Sequence, residues 1–183
     1  MNRDGFNKLH WGFFFIMINF KIQGFDIFPN IIGYILFAFG LGILSSRSAY
    51  FEKAKGLNIF MIILSIFSIY ERPVQGSGIR LGYLGGIGIL VGIAAIILNL
   101  VMVYYLFKGI QDMAASQNQM YIREEADRRW TQYAALQIAG FFAFILIFVP
   151  IINIIYILAL LAATIVLAFV IMGFMRRCGE SII

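Results

Sequence analysis

Seven polar side chains stand inside or beside long uncharged stretches of this chain: Asn19, Lys21, Gln23, Asp26, Asn99, Gln137 and Asn153. In a lipid interior each of these must find a partner or line a cavity, so they are the first places to look for function. Their chemistry is hydrogen bonding rather than acid–base or nucleophilic work. Asn99 is the most central, 19 residues into the uncharged run 81–107. Asn19, Lys21, Asp26, Gln137 and Asn153 are the other candidates for a polar cavity. Lys21 and Asp26 are five residues apart across an expected turn and are placed to pair at its mouth, an arrangement that more often satisfies a turn than moves a proton. Ion-coupled transport would call for an acid in mid-crossing, and the sequence has none.

Catalytic signatures are missing. His10 is the single histidine, which excludes a two-histidine zinc helix. No serine lies in a GxSxG elbow, and Gly86-Ile87-Gly88 follows no strand that would make it a nucleotide loop. Asp26 and Asp112 are expected on opposite sides of a membrane and cannot form a carboxylate pair. Cys178 is the single cysteine, so it has no disulfide partner and completes no cysteine-based metal site. Following Arg176 and Arg177, it stands where lipid acylation would suit it, although such a cysteine is usually incidental. The expectation is a non-enzymatic protein with no cofactor and no metal.

The elements that must position these residues follow from composition. Of 183 residues, 62% are hydrophobic and 13% charged, with a mean hydropathy of +0.90. A soluble domain is roughly a quarter charged, so this chain cannot cover a water-soluble globule. Disorder, a disulfide scaffold and nucleic-acid binding are excluded with it, because the net charge of +5 is scattered between apolar runs. The lipid bilayer is the expected partner.

A crossing needs about 20 uncharged residues. Apart from His10, the uncharged runs are 9–20, 27–46, 56–70, 81–107 and 130–175. The last would reach about 69 Å as one helix, so it must fold back, and Pro150 is its strong breaker. The chain is therefore read as a single all-α transmembrane domain over 1–183, a polytopic helical bundle. Its helices are expected at about 6–23, 27–47, 55–71, 81–107, 132–149 and 153–175, with a cytoplasmic helical loop at 108–131. Gly24, Asp26 and Pro29 suit the first turn-back. The first segment carries Lys8 and His10 near one end and Asn19, Lys21 and Gln23 near the other, so five crossings plus one re-entrant or interfacial helix is the runner-up. Met1–His10 shows no cleavage pattern of a signal peptide.

With six crossings, Arg3, Lys8, Arg47, Lys53, Lys55, Lys108, Arg123, Arg128, Arg129, Arg176 and Arg177 share one side, against Lys21, Arg72 and Arg80 on the other. The positive-inside rule then puts both termini in the cytoplasm, and all three prolines fall in outer turns. Trp11, Tyr50, Tyr70, Tyr104, Tyr105, Trp130 and Tyr133 are expected at the headgroup layers near helix ends. In the loop, Glu124–Arg128 and Glu125–Arg129 have the acid-first i, i+4 spacing of a solvated helix.

Gly85, Gly88, Gly92, Ala95 and Asn99 recur at intervals of three and four, which puts small residues on one helical face. Such a face permits close helix packing, with Asn99 bonding across it.

The stretch Trp11-Gly12-Phe13-Phe14-Phe15, followed by Gly24-Phe25-Asp26-Ile27-Phe28-Pro29-Asn30-Ile31-Ile32-Gly33-Tyr34, resembles the opening of small multi-pass membrane proteins of Gram-positive bacteria. The likeness covers the first quarter of the chain. It implies a bacterial cytoplasmic membrane and carries no activity with it. The expected function is a regulatory, assembly or self-protection role exercised through membrane-protein partners or a homo-oligomer. The alternative is a small-solute transporter or channel. That alternative requires a polar cavity lined by Asn19, Asn99, Gln137 or Asn153, and a dry, packed interior would dismiss it.

Overall fold

A computed structural model of the chain describes residues 2–18, 21–22, 25–26, 30–69, 85–146 and 149–182. The fold is all-α, with six helices among the described residues: α1 (Asn2–Met17), α2 (Asn30–Leu44), α3 (Ala49–Ile69), α4 (Gly85–Ser116), α5 (Met120–Ile145) and α6 (Pro150–Ser181). A two-residue antiparallel pair joins Lys21–Ile22 to Phe25–Asp26, with Lys21 opposite Asp26. The first helix thus ends at Met17, short of the expected 23.

Each helix packs on the next, and α6 returns to α1, closing a ring. Neighbours run antiparallel. Gly179 of α6 lies against Arg3 and Phe6 of α1, Tyr104 of α4 against Trp130 of α5, and Tyr156 of α6 donates to the Ala139 carbonyl of α5 at 2.8 Å. The connections follow local chemistry. Ser48 precedes α3, accepts from the Tyr50 N–H at 3.3 Å as a helix cap, and donates to Asp112 of α4 at 2.6 Å. Asn118 takes a left-handed conformation (φ 56°). There the Gln119 N–H reaches the Ala114 carbonyl and the Asn118 N–H reaches that of Ala115, the double bond that closes a helix end when Gly or Asn follows it. Pro150 opens α6 at its first position, where its missing N–H costs nothing.

The stretch 108–131, expected as a helical loop, is helical on both sides of one short turn. It is the last turns of α4, a three-residue turn and the first turns of α5. Within it, Lys108 donates to Gln111 and Gln111 to Asp127. Among the described residues, Glu125–Arg129 closes as an ion pair at 2.7 Å, while Glu124 and Arg128 are both exposed.

The tightest helix contact joins α1 to α2. A Cβ on Gly40 would stand 2.9 Å from the Gly5 carbonyl oxygen, one on Gly33 would stand 2.9 Å from that of Gly12, and one on Gly12 would strike the Phe37 ring. Each helix carries its two glycines seven residues apart and so on one face. The expected seam on α4 differs: Gly92 is exposed and a Cβ there meets nothing within 4 Å. The side-chain surroundings of Gly85 and Gly88 lie outside the described residues, and Ala95 is half-buried.

Close approach lets an aromatic cluster fill the ring. Phe13 of α1 meets Phe37 of α2 at 4.9 Å between ring centres, Phe107 of α4 at 6.1 Å and Tyr133 of α5 at 6.4 Å; Phe107 stacks on Phe174 of α6 at 6.2 Å. These rings are buried. The outward faces are apolar instead, including Phe39, Phe60, Ile97, Ile138, Ile155 and Phe169. Two helical stretches, Gly92–Ser116 and Ile151–Ser181, are long and apolar enough to cross a membrane, and Asn30–Leu44 is a shorter apolar helix.

Gly40→Ala should lower the apparent melting midpoint of the detergent-solubilised protein, with about 1–3 kcal/mol lost to overpacking against a backbone oxygen. Gly42→Ala, where a Cβ meets nothing, should leave the midpoint unchanged or raise it, by up to about 1 kcal/mol of helix propensity. Equal effects at the two positions would show that α1 and α2 do not touch through this face.

Candidate functional site

Three polar side chains from two helices converge inside the ring. Tyr133 lies well within α5, since that helix begins at Met120, and its hydroxyl is carried about 20 Å along the axis to the level of Asn99. The Asn99 amide donates to the Tyr133 hydroxyl oxygen at 2.7 Å and the Gln137 amide donates to the same oxygen at 3.0 Å. Gln137 follows Tyr133 by one helical turn, which is why both can reach the same point. The expectation of Tyr133 at a headgroup layer is thereby corrected: it is 1% exposed and part of the interior. Asn99 is also buried, and its amide oxygen has no partner among the described residues.

These groups line a cavity of about 300 Å³. Tyr34 and Asn30 approach from α2, Thr164 and Leu160 from α6, and Ile16 and Met17 from the end of α1. Among the described residues that line it none is charged. Phe13, Phe37 and Phe107 pack together toward the end of the ring that carries the basic residues, with Phe13 against Tyr133. Below it, the Asn58 amide donates to the Tyr34 carbonyl at 2.7 Å, tying α3 to α2.

The structure thus brings together Asn99 and Gln137 from the set that sequence singled out. Asn153 is half-buried near the start of α6, away from this cavity, and its amide oxygen is unpartnered among the described residues. Asn19 and Gln23 lie outside the described residues, and for Lys21 and Asp26 the backbone pairing alone is described. Tyr133, Tyr34, Asn30 and Thr164 were not anticipated. The spacing Tyr133–Gln137 was a readable signal, because it places two polar groups on one face of an otherwise apolar segment.

A second, wider cleft of about 620 Å³ lies between the start of α1 and the end of α6, beside Arg3, Asp4, His10, Trp11, Arg176 and Glu180. Three of its charges pair locally: Asp4 with Lys8 at 2.6 Å, and Arg176 with Glu180 at 3.1 Å. His10 Nδ1 lies 2.8 Å from the Met172 carbonyl, which holds the ring against α6. Among the described residues no three His, Cys, Asp or Glu side chains gather as a metal site.

At the same end Glu125 is buried, and one of its oxygens receives both Arg129 and Arg177, so one acid ties α5 to α6. Cys178 lies beside it with no exposed surface, which removes the opening that acylation would need. Burial raises its thiol pKa above the ordinary range, the Glu125 carboxylate pushes the same way, and Arg177 partly offsets them.

Compared with protein families, curated proteins and solved structures, the chain matches none.

Because the folded thiol titrates above the unfolded one, its neutral form contributes stability that is present below about pH 8.5 and is lost as pH rises further. Cys178→Ser should therefore flatten the alkaline fall in the melting midpoint. Alkylation of Cys178 by a maleimide at pH 8 should be at least about tenfold slower in the folded protein than after denaturation. Equal rates would mean that the last turns of α6 stand open.

Proposed function

We propose that this chain is a six-crossing integral membrane protein, without enzymatic activity, that binds a small uncharged polar molecule between its helices as a solute transporter or channel does. The observation that carries this reading is the polar cavity around Asn99, Tyr133 and Gln137, with no charge among its described lining residues. Unpartnered polar atoms at membrane depth are costly unless water or a ligand meets them, and the Asn99 amide oxygen is one such atom.

Several features support the membrane reading. Exposed apolar side chains occupy the uncharged segments of α2, α3, α4, α5 and α6, far more than a monomer in water leaves uncovered. Tyr104, Tyr105, Tyr50 and Trp130 gather where those segments meet the charged end, with Lys53 5.6 Å and 5.7 Å from the ring centres of Tyr50 and Tyr105, as at a headgroup layer. The helices α1 and α2, at 16 and 15 residues, reach about 24 Å and 22 Å. The eleven basic residues at the charged end favour that end and both termini in the cytoplasm, with the cavity nearer the outer face of the membrane.

One observation favours a second reading, action through a membrane-protein partner. At the tip of the α4–α5 hairpin Met120 and Tyr121 are exposed, Tyr121 by 71%, among charged neighbours. That reading expects a photoreactive residue at position 121 to capture the same protein reproducibly in cells.

The cavity reading is tested by single cysteines at Asn99, Gln137 and Phe107 in a Cys178→Ser background, exposed to a small membrane-impermeant methanethiosulfonate. Positions 99 and 137 should react from outside the cell and position 107 should not. Protection of all three would mean a dry interior and would remove the transporter reading.

A further inference from the structure

The polar cavity has an apolar neighbour. A groove of about 520 Å³ runs between α5 and α6, walled by Ala135, Ala139, Ala163, Val166 and Val170. It shares Leu136 and Leu160 with the cavity, so two leucine side chains separate a polar interior from the outer surface of the ring. In the membrane reading that surface faces lipid. The helices α5 and α6 also meet less closely than any other neighbouring pair in the ring. Among the described residues their polar ties are Glu125 to Arg177 at the charged end, and Tyr156 to the wall residue Ala139 toward the other. Between them small alanines face leucine and valine, and the surface is left as a trough.

The charge at the groove is already spent. Arg129 stands at its charged end, but it is held by Glu125 at 2.7 Å and by Gln132 at 2.9 Å. Among the described residues the cavity side carries hydroxyls and amides without charge. A phosphate would find no free cation among them, whereas a hydroxylated or amide headgroup would find both donors and acceptors.

We infer that the α5–α6 gap is a lateral opening, and that the ligand of the cavity is a single-chain amphiphile with an uncharged hydroxylated headgroup. The headgroup sits beside Asn99, Tyr133 and Gln137, the chain lies in the groove, and Leu136 and Leu160 are the gate between them. This inference rests on the cavity reading above and specifies the class of molecule and its route.

The test uses the full chain in nanodiscs of phosphatidylcholine with a monoacylglycerol probe that carries a diazirine on its acyl chain. Cross-links should concentrate on 132–139 and 160–170, and excess unlabelled monoolein should reduce them about tenfold. The same excess of lysophosphatidylglycerol, with an equal chain and an anionic head, should change them less than twofold. Leu160→Trp, which thickens the gate, should cut labelling about tenfold, and Asn99→Leu, which removes a headgroup contact together with the bond to Tyr133, should cut it as well. Labelling spread evenly over the exposed faces of α3 and α6, or equal competition by the two lipids, would overturn the inference. If that happens while a cysteine at position 99 still reacts with the methanethiosulfonate, the cavity reading stands and the lateral route alone is lost. If position 99 is protected as well, both fall.

Discussion

The backbones of α1 and α2 touch, and much of the structure depends on that contact. Gly5 faces Gly40 and Gly12 faces Gly33, so that each carbonyl oxygen occupies the place a side chain would need. Lipid tails are as apolar as leucine, and helices in a bilayer therefore associate through close van der Waals packing rather than water exclusion. Here the glycines allow the shortest helices to sit deep in the ring, and Phe13 reaches Phe37, Phe107 and Tyr133 from there. Without α1 in that position α6 would have no neighbour on its second side, and the ring would be an open sheet of helices.

The aromatic packing and the cavity are two consequences of the same geometry. Toward the charged end, all six helices contribute large buried side chains, among them Phe6, Leu41, Phe51, Leu106, Ile122 and Phe174. Beyond that level α1 ends at Met17 and α2 begins at Asn30, and the cavity of about 300 Å³ lies beside those two helix ends. What lines the gap is polar because Tyr133 and Gln137 stand one turn apart on α5 and both meet Asn99 of α4. A shared hydroxyl with two amide donors leaves acceptor and donor capacity unspent, and that is the feature a ligand can use.

The charged end is held differently. Glu125 gathers Arg129 from its own helix and Arg177 from α6, Ser48 bridges the start of α3 to Asp112 of α4, and Gln111 reaches Asp127 across the α4–α5 hairpin. Hydrogen bonds to charged groups are stronger where water is partly excluded, and these ties fix the helix ends while the apolar outer faces remain free. The α5–α6 pair shows the result most clearly, being joined at its two ends and open between them.

By itself, the sequence determined what depends on composition and local spacing: an all-helical chain, uncharged segments with the basic residues between them, a break at Pro150, and Asn99 as a buried polar group in need of a partner. These follow from backbone hydrogen bonding and the cost of charge in an apolar setting, which act over a few residues at a time. The partner of Asn99, the burial of Tyr133 and the choice of glycine face were decided by the tertiary structure. The intervals from Gly85 to Asn99 and the seven-residue intervals of Gly5–Gly12 and Gly33–Gly40 are all compatible with close packing. Which stripe meets another helix depends on how helices distant in sequence rotate about their axes, and periodicity within one helix carries no information about that angle. Tyr133 was misplaced for a related reason: its depth depends on where α5 begins, and the Asn118 turn that starts it is a local structure hidden inside a charged stretch.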